Sequence, residues 1–175
     1  MIFNATELIA QAFDERNIKY EISETDESSI LAVIFEVDTG LEEIVEFIST
    51  DDRNNVMVKI SDLIQDVSPS KRADVIEACN KLNEKYSYFK FYLNSASNVM
   101  VEYDLPRRVD DECVGECCAE ILVRLVDVIR NDVFELANVA YMNKKVERKD
   151  PRAIIRALRE LRDTPIGVED RKKQE

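Results

Sequence analysis

The chain contains no histidine and no tryptophan. Without histidine, imidazole-based acid–base chemistry and histidine-ligated zinc are excluded. Only three glycines occur, Gly40, Gly115 and Gly167, and no two are close. A phosphate-cradling loop needs clustered glycines so that backbone N–H groups can approach an anion, and there is no such cluster. No run approaches the ~18 apolar residues of a membrane-crossing helix. The stretch Met1–Glu7 lacks the basic region and long apolar core of a secretory signal, so a cytoplasmic chain is expected.

What is present is a 175-residue chain, 45% hydrophobic, enough for one domain with a real core and a tail. The net charge is −12, unevenly spread. Residues 1–143 carry 13 Lys/Arg against 29 Asp/Glu, and residues 144–175 carry 11 against 7. This places a domain boundary between 143 and 144. The acidic body repels nucleic acid and anionic membranes, so neither is expected as a partner.

The stretch Tyr88–Pro106 organises the rest. It alternates apolar and polar residues, breaks at a polar turn, and alternates again, which predicts a β-hairpin. Phe89, Phe91 and Leu93 share one face with Val99, Val101 and Tyr103. The segment Asn98–Leu105 echoes Asn55–Leu63, with Met57 and Met100 in equivalent places. Similar strands therefore build one sheet.

The remaining elements follow in order. Asn4 and Glu7 have capping-box spacing for a helix to about Arg16, flanked by Phe3 and Leu8 as a staple, and Asn17 suits its stop. Ile18–Glu24 alternates as a short half-buried strand. Ile30–Val37 is almost unbroken apolar and reads as a central strand covered on both faces. Glu43–Thr50 and Asn55–Ser61 form a hairpin around Asp51–Asn54. Ser68-Pro69 opens a helix to Lys85, with Ile76, Cys79, Leu82, Asn83 and Tyr86 on one stripe. Asp110-Asp111-Glu112 places acids at the start of a long helix, where its dipole favours them. That helix pauses at Asn131-Asp132 and resumes to Met142. Residues 151–162 form a last helix. Its apolar side is Ile154, Ile155, Leu158 and Leu161, and its basic side Arg152, Arg156, Arg159 and Arg162.

The expected fold is α+β: an antiparallel sheet of about five strands packed against helices, plus a C-terminal basic helix. No catalytic constellation, metal site or cofactor is expected. Cys113 and Cys117 lie four apart on a helix, within reach of one soft metal ion, but small core thiols and their edge are the better account of the four cysteines. Asp51-Asp52 with Asn54 and Asn55 suggests a calcium loop but lacks its glycine and helical flanks, so a solvated turn is expected.

Three pieces of text are specific: Val67-Ser68-Pro69-Ser70-Lys71-Arg72, Asn80-Lys81-Leu82-Asn83 and Lys90-Phe91-Tyr92-Leu93, followed by Asp104-Leu105-Pro106. Over residues 4–142 the chain resembles the bacterial YbjN-like family, described as sensory-transduction regulators. The resemblance implies a fold like that of type III secretion chaperones, no agreed catalytic residues, and a non-enzymatic role in binding another protein as an adaptor or chaperone. The basic last helix is not part of that pattern. The expected binding surface is the sheet's outer face, with Met57, Tyr88, Tyr92 and Met100, or a strand edge. The alternative is a homo-oligomer, such as a homodimer, held by the 151–162 helix through Arg152, Ile154, Ile155, Arg156, Leu158, Arg159 and Leu161; the same helix equally suits docking within the chain on its own acidic body, where it would cover the Met and Tyr face.

Overall fold

The computed structural model describes residues 2–37, 41–51, 53–106 and 109–142. The expected helix 151–162 and its site residues lie outside them. The described elements are α1 (Asn4–Glu15), β1 (Glu21–Glu24), β2 (Ser29–Val37), β3 (Leu41–Ser49), β4 (Val56–Ile64), α2 (Arg72–Lys85), β5 (Lys90–Leu93), β6 (Val99–Asp104), α3 (Asp111–Val128) and α4 (Phe134–Tyr141). All strand pairings are antiparallel, and the sheet has six strands in the order β1-β2-β3-β4-β6-β5. The α+β class is as expected, with six strands where about five were anticipated.

Alternation along each strand sorts side chains between two faces. One face holds Leu31, Val33, Val45, Phe47, Val58, Ile60, Val101 and Phe91, all buried. The helices pack there. The Phe13 ring of α1 meets Phe47 edge-on, centroids 5.3 Å apart. Thr6 of α1 brings a hydroxyl into this dry layer, so it needs partners. It finds them in Ser29 (2.7 Å) and Ser49 (3.0 Å), cross-strand neighbours on β2 and β3; all three residues are fully buried.

The same network moves the start of α1. The N-cap is Phe3, not Asn4, and no side chain caps the helix. The Phe3 N–H donates to Ser29 Oγ (3.1 Å), a partner 26 residues away, so the expected capping box is not formed. The stop is as expected. Asn17 takes a left-handed φ of 55°, with Ile18 N–H bonded to Phe13 O and Asn17 N–H to Asp14 O, the paired bonds of a Schellman ending.

Gly115 sets the α1–α3 crossing. A Cβ there would lie 2.6 Å from both Ala12 Cβ and the Leu8 carbonyl oxygen, so the two backbones approach only because position 115 lacks one.

Between α3 and α4 the chain makes a π-turn, Ile129–Val133. This is the anticipated pause at Asn131-Asp132. The turn adds a residue to the helical register and presents Asp132 to α2. Lys85 Nζ contacts both its carboxylate oxygens (2.7 and 2.8 Å), and the Tyr86 hydroxyl donates to it.

Two more expectations are corrected. Pro69–Lys71 is a 3₁₀ turn and the α-helix begins at Arg72; its buried stripe uses Val75, Cys79 and Leu82, while Ile76 is 44% exposed. β1 is not half-buried: all four of its residues are exposed, as suits a short edge strand. At the other edge, Asn83 acts as a surrogate strand. Its Nδ2 donates to Phe91 O (3.0 Å) and its Oδ1 accepts from Phe91 N–H (2.7 Å).

Candidate functional site

The second face of the sheet carries the residues singled out for binding. The register arranges them in rows running across the strands. One row is Ile30, Ile48, Met57 and Asp104. The next is Ala32, Glu46, Lys59, Glu102 and Lys90. A third holds the cross-strand pair Ile34–Ile44 on β2 and β3 and the pair Met100–Tyr92 on β6 and β5. Between those pairs lies β4, where the register shifts between Ile60 and Ile64.

The middle row is electrostatically closed. Lys59 Nζ is 3.6 Å from Glu46 Oε2, which also accepts from Ser61 Oγ (3.1 Å). The Tyr92 hydroxyl donates to Glu102, and Lys90 Nζ sits 5.2 Å from the Tyr92 ring centre. Burial first, and then the Glu102 hydrogen bond, push the Tyr92 phenol up to about 12. Met100 Sδ receives Asn94 Nδ2 at 3.2 Å.

Three of the four expected residues thus share the outer face, but not one patch. Met57 pairs with Asp104, and the charged row separates it from Met100 and Tyr92. The repeated strands run antiparallel beside each other, which sends their equivalent methionines to opposite sides of that row. Tyr88 precedes β5 in a turn and is 68% exposed.

Sequence reasoning missed Ile34 and Ile44. They are directly opposite in register and 54% and 49% exposed. Their strand was expected to be covered on both faces. The usable signal was the excess of apolar residues: Leu31 and Val33 already supply the core face, so Ile34 must point the other way. The helix contacts of Phe13 with Phe47 and of Asn83 with Phe91 lie on the core face and at the sheet's edge. Beyond Ile34–Ile44, Glu36 and Glu42 are also directly opposite, both exposed, and neither has an ion-pair partner among the described residues.

The other candidates resolve as structure. Cys79 and Cys118 are buried, Cys117 is half-buried and Cys113 exposed, all with free thiols. Burial pushes the Cys79 thiol up to about 11 and raises Cys117 and Cys118 too, against thiolate chemistry. Asp51 accepts from Arg53 N–H (2.9 Å) and Asn55 Nδ2 (2.7 Å), which is turn chemistry. Asn54 Nδ2 bonds Asp111 Oδ1 (2.6 Å) at the start of α3. Among the described residues, no three His, Cys, Asp or Glu side chains are placed to hold a metal, and no helix is long and apolar enough to cross a membrane.

One carboxylate stands apart. Glu43 lies on the core-facing side of β3, opposite Phe35 in the register. Burial, and then the nearby Asp62, raise it from 4.5 to about 7. Close by, the Tyr141 hydroxyl of α4 donates to Gln65 O (2.6 Å) and accepts from Gln65 N–H (3.0 Å).

Residues 5–119 match the YbjN family, described as "putative bacterial sensory transduction regulator". A crystal structure of YbjN from E. coli, described as "a putative transcription regulator", is similar at 14% identity over 71% of this chain and 87% of that one, with a TM-score of 0.47. No curated protein matches the chain.

Proposed function

The chain belongs to the YbjN family, described as regulators, and from that premise we propose that it is a cytoplasmic, non-enzymatic regulator that works by binding another protein on the outer face of its sheet. One observation carries the reading: Ile34 and Ile44 form an exposed cross-strand pair on the face opposite the one that carries Phe47 and its contact with α1. Paired exposed β-branched residues suit a partner surface, and the Met100 and Tyr92 side chains beyond β4 on the same face can adapt to one. A strand edge suits the role less: β1 is short and acidic, and Asn83 occupies the main chain of β5.

The test compares wild type with the folded double variant Ile34→Ser/Ile44→Ser in affinity capture from the source cell, read by mass spectrometry. The expected result is a protein enriched by wild type and lost by the variant. Capture that is equal for both would remove the outer face from consideration. A second variant, Met57→Lys/Tyr92→Lys, maps how far the contact extends over the charged row.

A further inference from the structure

Resting on that protein-binding reading, we propose that the outer face receives a cationic amphipathic helix presented by a partner protein. Its apolar stripe would lie across the strands along the row that holds Ile34, Ile44, Met100 and Tyr92. Its basic flank would meet the Glu36–Glu42 pair.

The dimensions fit one helix. The row crosses four strand spacings, from β2 to β5, which is about 19 Å. The rows on either side, from Glu46 to Glu42, are four residues apart, or about 13 Å. A helix of ~12–14 residues is about 18–21 Å long and ~10–12 Å across. The product of the two spans, on the order of 250 Å², is far below the ~800 Å² per partner of a stable dimer. The strip by itself is too narrow for a sheet-on-sheet contact and matches the width of a single helix.

The charge fits a cation. Like charges directly opposite on neighbouring strands repel. Glu36 and Glu42 are in that position, exposed and without an ion-pair partner among the described residues. On the other side of the row, by contrast, Glu46 is held by Lys59 and Ser61, and Glu102 by Tyr92. Among the described residues, the flank beside Ile34 and Ile44 therefore carries unpaired charge, as does Asp104 two rows away beside Met57. An Arg or Lys laid there would relieve the repulsion while its helix buries the two isoleucines.

The experiment uses the full chain and a fluorescein-labelled peptide of about 14 residues, with Leu at helical i, i+3, i+4, i+7 spacing and Arg elsewhere. A sign-reversed peptide carries Glu for Arg. Anisotropy gives affinity, and two-dimensional amide spectra give location. The expected result is binding of the Arg peptide with amide shifts at Ile34, Ile44, Tyr92 and Met100. Binding should weaken at least ~10-fold in Ile34→Ser/Ile44→Ser, and weaken with added salt in wild type but less in Glu36→Gln/Glu42→Gln. Equal binding of the Glu peptide, or shifts elsewhere, would overturn the proposal. So would release of residues 144–175 by the peptide, which assigns the face to the chain itself, or a dimer mass lost in the isoleucine variant, which assigns it to a second copy. If the peptides fail while the isoleucine variant still loses its captured cell partner, the helix fails and the protein-binding reading stands. If that variant keeps its partner, the reading itself fails.

Discussion

The two faces of this sheet are drawn from the same strands, one residue apart, and are held together in opposite ways. The core face is closed by shape. Phe47 and Phe13 interlock, Gly115 lets two helices touch, and the three hydroxyls it buries satisfy one another. The outer face is closed by charge in its middle row and left open beside it, where Ile34 and Ile44 meet solvent. Burial per residue decides stability, so the core face should answer to mutation with unfolding and the outer face with lost contacts.

The widest gap is expected between Phe47→Ala and Ile44→Ser, three residues apart on β3. Chemical denaturation should show Phe47→Ala destabilised by about 3–5 kcal/mol, since it removes a fully buried ring and leaves a cavity. A loss under ~1 kcal/mol would mean that the core face is not packed as described. Next, Gly115→Ala should cost about 1–3 kcal/mol by overpacking, because Ala12 and the Leu8 carbonyl have no room for a methyl group. Here the midpoint should move without a change in secondary-structure content by circular dichroism.

Thr6→Val keeps the shape of α1 and removes its hydroxyl. Ser29 and Ser49 then lose their shared partner in a dry layer, at about 1–3 kcal/mol. A neutral outcome would show that the hydroxyls are dispensable to the α1–sheet contact. Glu43 sharpens the comparison through pH. Its folded pKa is raised, so the folded state holds a proton that the unfolded chain gives up near 4.5. Stability from this group is full below about 4.5 and is lost as pH rises to about 7. Glu43→Gln should therefore flatten the melting temperature across that window relative to wild type, and identical slopes would count against a buried carboxyl at position 43. The smallest effect belongs to Ile44→Ser, within about 0.5 kcal/mol. If it unfolds the protein, the outer face is not a free surface.

Much of this was legible in the chain. The hairpin around 94–98, the pause near Asn131 and the Asn17 stop follow from local patterns: alternation, turn residues and helical spacing. The errors share a cause. Asn4 has the composition of a cap, yet a hydroxyl on β2 takes the preceding N–H. Ile76 and Val75 are adjacent and equally apolar, so periodicity alone could not choose between them. Met57 and Met100 look equivalent in the text, yet antiparallel pairing separates them by a charged row.

Sequence alone determined the class of the molecule. Its strand and helix periods, its acidic body and the text from Val67 to Pro106 are properties of neighbouring residues, and they sufficed for an α+β fold of the YbjN family. Only the tertiary structure decided which surface is open. Whether Ile34 is core or exposed depends on where α1 lands, and α1 lands where Thr6 finds Ser29 and Ser49 and where Gly115 admits Ala12. Those contacts join residues tens of positions apart, so no local window of the chain contains them.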